Sequence, residues 1–391
     1  MLSSSSKLND SETINIPPPL WSEAKRDTFI DRKGKINMDT LLVHFLRQGR
    51  LKKHDALSII QRASSVLHKE PNVLRLDAAS LIVVGDIRGQ FYDLAKIIRI
   101  GGMFSSGKTY LFLGNYADSN YFSCECILFL LAAKITHPST VFLLRGNHES
   151  RFMTKFFDFE GDCLQKYNDE VYLAVMEAYD CLPLAAVVNK QFFCVHGGLS
   201  PDVSCVDHIG SIYRFREPPS KGAMCDLLWS DPLWDVENPS SVCEYQGNGY
   251  YNPGNGPLYG TSPCFLHNEQ RGCSYLFNYP SVKHFLLENE LLCIIRSHEV
   301  QDDGFKLYRF NGASNFPCMI SVFSAPNYCD SFDNKGAILH LEGKQLGVKQ
   351  FFSSPHPYVL PKRLNAFQWS IPFLLSSIHE IFSLLLSCEG S

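Results

Sequence analysis

Three short apolar runs, each followed by a polar turn and then an amphipathic stretch, constrain this chain more than any other feature. Leu81-Ile82-Val83-Val84 reads as a buried strand that delivers Asp86 at its carboxyl end, and residues 91–100 read as a helix. Tyr110 to Leu113 is the next strand, followed by a helix across 124–135. Thr140 to Leu144 is the third, ending at Arg145-Gly146-Asn147-His148. Strand, helix, strand, helix, strand predicts an α/β layered fold with parallel pairing. In such sheets functional groups collect just beyond the carboxyl ends of the strands, where these turns fall.

Around this unit the sequence is less explicit. Residues 35–70 carry apolar positions such as Leu41, Leu42, Phe45 and Leu46 at helical spacing. Phe192 to His196, Leu292 to Arg296 and Ile320 to Phe323 are strand-like, and their order leaves open whether they form a second sheet. Residues 243–266, rich in Gly, Asn, Pro and Tyr, read as a long surface loop. Residues 1–20 are polar and Ser-rich, lack an apolar signal-peptide core and read as a disordered lead-in.

Bulk properties exclude some classes. A length of 391 residues allows one large domain or two ordinary ones, and 45% hydrophobic with 19% charged residues is a globular composition. A net charge of -4 gives no electrostatic reason to expect nucleic-acid binding. The fourteen cysteines are scattered, and the close pairs Cys124/Cys126 and Cys264/Cys273 lack zinc-knuckle spacing. They read as reduced thiols of a cytoplasmic protein.

Five motifs carry the chemistry: Gly85-Asp86-Ile87-Arg88-Gly89, Gly114 to Asn120, Arg145-Gly146-Asn147-His148-Glu149, His196-Gly197-Gly198 and Arg296-Ser297-His298. Asp, Asn and His at strand ends are ligands suited to Mn, Fe or Zn. Two such ions can hold a phosphate and activate water, and a His beside a carboxylate can protonate the leaving oxygen. One Gly-Asn-His-Glu alone is weak evidence; five motifs in order are strong.

This order resembles the metal-dependent protein serine/threonine phosphatases, where the series runs GDxHG, GDxVDRG, GNHE, HGG and RxH. Further segments are similar to the calcineurin catalytic subunit: Arg214 to Pro219, Leu228 to Leu233, Ser324 to Tyr328, Ser354 to Tyr358 and Phe367 to Phe373. The likeness covers roughly residues 17–388. It implies a metallophosphoesterase fold: a layered β-sandwich flanked by helices, with a C-terminal amphipathic helix. It divides the chain into the lead-in at 1–20, a phosphatase domain at 21–352, and a linker with a partner-binding helix at 353–391.

Position by position, the implied roles are mixed. In the family the first metal site uses the Asp and His of GDxHG and the Asp of GDxVDRG. Here Asp86 is present, Arg88 replaces the His, and Asn115 replaces the Asp. The second site's further ligands match as Asn147, His196 and His298. The implied proton donor is His148, oriented by Asp118. Of the two phosphate-gripping arginines, one position holds Ser119 and the other Arg271; Tyr328 matches an active-site tyrosine.

The physics of these changes points one way. Arg88 stays cationic and offers donors only, so it repels an ion at the first site. Asn115 lacks the negative charge with which one oxygen bridges two cations. Loss of even an outer-shell partner costs ~10- to 100-fold in metal affinity or activity. Loss of a phosphate-clamping Arg costs roughly 10³ or more in rate. The expectation is an impaired dimetal centre with one divalent ion at most, in a protein that binds phosphoprotein substrates more than it turns them over. Arg88 is then expected to swing into the first site and join Arg271 and Tyr328 as a phosphate-binding group. The competing reading is an active phosphoserine/phosphothreonine phosphatase with altered metal use.

In residues 370–387 a polar stripe of Ser376, Glu380, Ser383 and Ser387 opposes Ile371, Leu374, Leu375, Ile378, Ile381, Phe382 and Leu385. The stripe argues against a membrane span. The resemblance implies that this segment, Phe373 included, is the helix lying in the groove of a calcineurin B-like EF-hand regulatory subunit. It also implies that Tyr358, Trp369 and Phe373 help form a substrate-docking surface, with Val348 to Phe351 where the family's other docking strand runs. No direct calmodulin binding is expected from residues 1–391, because the family's calmodulin-binding and autoinhibitory segments correspond to neither end of this sequence.

Overall fold

The structure, a computed structural model, describes residues 29–31, 34–118, 121–233, 264–308, 316–343, 345–359 and 366–388. The lead-in at 1–20, Ser119 and most of the 243–266 loop lie outside the described residues. The chain divides into two compact units, Met1–Ser354 and Pro355–Ser391.

In the first unit, helices Met38–Leu46 and Lys53–Leu67 precede strands β1 (Val73–Leu76) and β2 (Ser80–Val84). Helix Phe91–Gly101, β3 (Thr109–Phe112), helix Ser123–Thr136 and β4 (Val141–Leu143) follow. The three expected strands thus form, within a residue at either end. β2, β3 and β4 pair in parallel. β13 (Gly336–Glu342) then joins β2 antiparallel, and β14 (Gln345–Phe351) pairs antiparallel to β13, giving a sheet ordered β14-β13-β2-β3-β4.

The strand-like runs of the second half do build another sheet. It is ordered β1-β5-β6-β10-β12-β11, with β5 (Ala185–Val188), β6 (Phe192–Val195), β10 (Cys293–Arg296), β11 (Phe305–Tyr308) and β12 (Met319–Val322). A small third sheet joins β7 (Asp231–Pro232), β8 (Phe265–His267) and β9 (Tyr275–Phe277).

Side chains alternate across each strand, and that period of two makes the sandwich. Leu81, Val83, Leu111, Leu339 and Leu341 of the first sheet meet Leu74, Leu76, Phe192, Cys194, Cys293, Ile295 and Ile320 of the second in one buried cluster. The intervening residues of the second sheet, such as Val187, Phe193, Val195 and Ile294, point the other way. They pack with Met224, Leu227, Val282 and Phe285 of helices Ala223–Trp229 and Tyr279–Glu288. On the far face of the first sheet Tyr110 packs edge-on against Phe104, which in turn meets Phe129 of helix Ser123–Thr136.

Gly114 shows why the loops beyond β3 and β4 can close on one another. Its φ is +108°, and a Cβ there would fall 2.6 Å from the Gly146 Cα. Only glycine tolerates both the dihedral and that approach.

The second unit contains helix Ala366–Cys388, with Pro372 inside it. Trp369, Phe373, Leu374, Leu375, Ile378, Ile381 and Phe382 are exposed along it, and the Trp369 and Phe373 rings lie 5.3 Å apart. The Leu385 side chain lies outside the described residues. Among the described residues no helix is long and apolar enough to cross a membrane.

Candidate active site

Asp86 leaves the end of β2 fully buried, and four donors converge on its carboxylate. Ser297 Oγ and the His298 N–H donate to Oδ1, the latter at 3.1 Å. Arg88 Nε donates to Oδ2 at 2.7 Å and Asn115 Nδ2 at 2.9 Å. Burial alone would push this carboxyl up; Arg88, His196 and the hydrogen bonds outweigh it and hold Asp86 well below the usual carboxylate range.

Arg88 is the hub. Its Nη1 donates to Asp118 Oδ2 at 2.8 Å, reaches His148 Nε2 at 2.8 Å and Tyr328 OH at 3.3 Å. Its guanidinium carbon sits 5.2 Å from the Tyr328 ring centre, and the Tyr328 hydroxyl donates to Asp118 Oδ2 at 2.6 Å. Burial opposes its charge, but Asp86 and Asp118 raise its pKa further, so it is permanently cationic.

Asn115 uses all its side-chain hydrogen-bonding groups. Nδ2 donates to Asp86 and to Asn147 Oδ1, both at 2.9 Å, and Oδ1 accepts from the His148 N–H. A carboxylate here would face Asp86 with no proton between them. An amide is what this network requires.

A second group of donors lies alongside. His196 Nδ1 must donate to the Leu113 carbonyl at 2.9 Å, because a carbonyl only accepts. His196 is pulled down to about 4, chiefly by burial, and so is neutral. Its Nε2 is therefore a lone pair, yet it lies 2.9 Å from Asn147 Oδ1, which already accepts from Asn115. His298 stacks edge-on between His196 and Trp229, and neither of its ring nitrogens has a hydrogen-bond partner. Burial, with Arg271 nearby, holds it well below the ordinary histidine range.

His148 is buried too. It is also driven well below the ordinary range, by burial first and Arg88 second. Its Nδ1 lies 3.8 Å from Asp118 Oδ2, and Phe157 stacks on its ring at 4.5 Å. Arg88, Asn115 and His298 all have left-handed φ values, +55°, +55° and +78°, a strain that clusters at functional sites.

The structure thus gathers Asp86, Arg88, Asn115, Asp118, Asn147, His148, His196, His298 and Tyr328 in one cluster. Arg271 approaches through Asp231: its Nε donates to Asp231 Oδ2 at 2.8 Å, and Asp231 Oδ1 lies 3.8 Å from His298 Nε2. Tyr358, Trp369, Phe373 and the helix residues belong to the C-terminal unit.

Three residues of the framework carried no role in the sequence reading. Asp231 orients Arg271, Arg296 and Asn268. Ser297 pins Asp86. Glu149 accepts the N–H groups of Asn115, Tyr116 and Gly146 at 2.7, 2.9 and 2.8 Å, tying two loops together. Burial pushes Glu149 up to about 7 despite those bonds. All three stand inside or beside motifs, which is the signal that could have found them.

Residues 79–302 match the calcineurin-like phosphoesterase family, and the chain belongs to it. Its resemblance to calcineurin catalytic subunits runs over nearly its whole length. It is 41% identical over 361 residues to serine/threonine-protein phosphatase 2B catalytic subunit A1 of Saccharomyces cerevisiae, covering 92% of this chain and 63% of that protein. It is 40% identical over 379 residues to catalytic subunit A2 of the same organism, covering 96% of this chain and 62% of that one. The chain therefore spans about three fifths of the length of these relatives. A solved protein serine/threonine phosphatase from Saccharomyces cerevisiae, with similarity to human phosphatase PP5, superposes with a TM-score of 0.69 at 30% identity. That match covers 82% of this chain and 96% of that one.

Calcineurin-like phosphatases use divalent metal ions. The residues here fit two positions unequally. At the first, the Arg88 guanidinium already bonds Asp86, and its positive charge opposes a cation beside it. At the second, the Asn147 oxygen and the His196 lone pair face each other without a proton between them, beside the unpartnered His298. His196 also hands its other N–H to a carbonyl, the usual outer-shell arrangement of a ligating histidine. That set suits one cation. Among the described residues no three His, Cys, Asp or Glu side chains could hold an ion by themselves, so the Asn147 oxygen is needed.

Proposed function

We propose that this protein is a calcineurin A-like serine/threonine phosphatase homologue with an impaired dimetal centre. It acts mainly by binding, taking phosphoserine or phosphothreonine segments at the centre and an EF-hand regulatory subunit on the C-terminal helix. The observation that carries this reading is the Arg88 guanidinium, bonded at once to Asp86, Asp118 and His148.

The consequences follow from charge and protons. Arg88 stands where a divalent ion would share Asp86, and its fixed charge repels one. Asn147, His196 and His298 are the residues that would hold a single ion, Mn, Fe or Zn. When bound, it supplies positive charge that attracts a phosphate. His148 is neutral and its Nε2 accepts from Arg88, so that nitrogen carries no proton for a leaving oxygen. Asp118 divides its oxygen between Arg88 and Tyr328 instead of serving His148 alone. Arg271, oriented by Asp231, and Tyr328 face the phosphate in this reading.

Supporting the partner is the exposed face of Leu374, Leu375, Ile378, Ile381 and Phe382, an apolar stripe of the kind that helix-in-groove recognition uses. The names of the yeast relatives, catalytic subunits, also suit a protein with a regulatory partner. Tyr358, Trp369 and Phe373 are exposed, as a docking surface needs. The described cysteines are free thiols, which suits a reducing cytoplasm.

The test is hydrolysis of a small aryl phosphate by the protein co-purified with its EF-hand subunit in Mn²⁺. The His148→Asn variant controls for contaminating enzyme. No activity above the variant is expected. Activity that disappears in the variant would overturn the reading in favour of an active phosphatase.

A further inference from the structure

Two buried thiols meet where helix Phe159–Lys166 packs against helix Ser123–Thr136. Cys124 Sγ lies 3.6 Å from Cys163 Sγ, with one thiol donating to the other. A disulfide bond is about 2.05 Å long, so closure asks the sulfurs to approach by only about 1.6 Å. The groups around them are polar. The Cys124 N–H donates to Asp162 Oδ2 at 2.9 Å, and Lys166 Nζ donates to Glu125, Asp162 and the Tyr121 carbonyl. The Tyr179 hydroxyl, buried and without a hydrogen-bond partner, interacts electrostatically with both thiols. It offers a donor to an oxygen carried on either sulfur.

Burial raises Cys124 well above the ordinary thiol range, so the closed structure protects the pair. The cover over it is weakly held. Helix Phe159–Lys166 has eight residues, and its N-cap, Asp158, has a left-handed φ of +61° and makes no side-chain cap. A helix this short depends on packing and opens locally at small cost, and its opening gives Cys163 to solvent. Lys166, held cationic by Asp162 and Glu125, favours the thiolate at Cys124.

We propose that Cys124 and Cys163 are a reversible oxidation site, which hydrogen peroxide closes into a disulfide that ties the two helices together. One thiolate attacks a peroxide oxygen; the O–O bond breaks, leaving a sulfenic acid and a hydroxide that takes up the released thiol proton as water. The second thiol attacks the sulfenic sulfur; the S–S bond forms, the S–O bond breaks and a second water leaves. Two thiols are oxidised and one peroxide is reduced to two waters. A dithiol reductant reverses the closure by thiol exchange. The loop so closed, residues 124–163, carries Asn147, His148 and Glu149 of the centre. The inference is independent of whether that centre binds or hydrolyses phosphate.

The test treats the full chain with hydrogen peroxide below its unfolding transition and blocks the remaining thiols with N-ethylmaleimide. A protease digest is then mapped by mass spectrometry without reductant. The expected product is one cross-link joining the peptide of Cys124 to that of Cys163, lost on adding dithiothreitol. Cys126 is the nearby rival, so Cys126→Ala should keep the cross-link and Cys124→Ala should lose it. The oxidised chain should melt several degrees higher than the reduced one, as closure of a loop this long provides. Cys124→Ala should show no such rise. Mapping of the unsubstituted chain decides the matter even where a core substitution unfolds a variant. The exposed Cys329 reports that the oxidant has acted. Oxidised Cys329 beside free Cys124 and Cys163 would overturn the inference. So would a cross-link through Cys126, sulfonic acid at either sulfur without a cross-link, or a melting point that closure leaves unchanged or lowers.

Discussion

Nη1 of Arg88 lies 2.8 Å from Nε2 of His148. An arginine has no lone pair to offer, so the imidazole nitrogen is the acceptor and the proton of the neutral ring sits on Nδ1. The same guanidinium bonds Asp86 two residues earlier in the chain. One side chain therefore reaches both the residue proposed as a metal ligand and the residue proposed as the acid–base group.

Reversing the substitutions should restore chemistry. Arg88→His with Asn115→Asp and Ser119→Arg is expected to raise the divalent-ion content from one or none to two, and to produce aryl phosphate hydrolysis. Elemental analysis of the purified protein reads the first and a chromogenic assay the second. A triple variant that holds two ions and stays inert would show that the impairment lies elsewhere.

Chelation should weaken anion binding. Within the cluster Asp86 and Asp118 carry two negative charges against one on Arg88, and His148, His196 and His298 are neutral. Without an ion that balance repels phosphate; with one it attracts it. Calorimetric titration with inorganic phosphate should show affinity falling at least about tenfold in EDTA and returning with Mn²⁺. Affinity indifferent to EDTA would mean that Arg88 and Arg271 suffice.

Asp226 should make stability fall with rising pH. It is a buried residue of helix Ala223–Trp229, accepting from Ser200 Oγ at 2.6 Å, and burial raises its pKa above 3.8. The folded state then binds its proton at a pH where the unfolded chain has released it. Its contribution is greatest below 3.8 and is lost as pH rises through the raised value. Asp226→Asn should raise the urea midpoint at pH 7 and leave it nearly unchanged near pH 4. A gain equal at both pH values would rule out this origin.

The exposed helix should be the handle for the regulatory partner. Ile378→Asp with Phe382→Asp puts two charges one turn apart on its apolar stripe. Co-purification with an EF-hand subunit should be abolished, with the melting of residues 1–354 little changed. Undiminished capture would exclude this face as the contact.

The strands at 81–84, 110–113 and 140–144 were legible because buried strands and amphipathic helices write their periods into local sequence. β1, β5, β11 and β13 were not, because their role depends on neighbours far along the chain; β13 lies beside β2 although more than 250 residues separate them. The cluster itself was legible as residue types: each of Asp86, Arg88, Asn115, Asn147, His148, His196 and His298 was named from its motif. Ser297, Asp231 and Glu149 were not, since their work is done on groups up to 211 positions away.

The sequence by itself determined the strand–helix order over residues 81–144, the family and the departures at positions 88, 115 and 119, because those follow from local pattern and side-chain chemistry. Only the tertiary structure decided where the Arg88 guanidinium went. Its reach covers several possible partners, and the choice among Asp86, Asp118, His148 and Tyr328 was made by four separate segments arriving at one buried place, where an unpaired charge cannot stand.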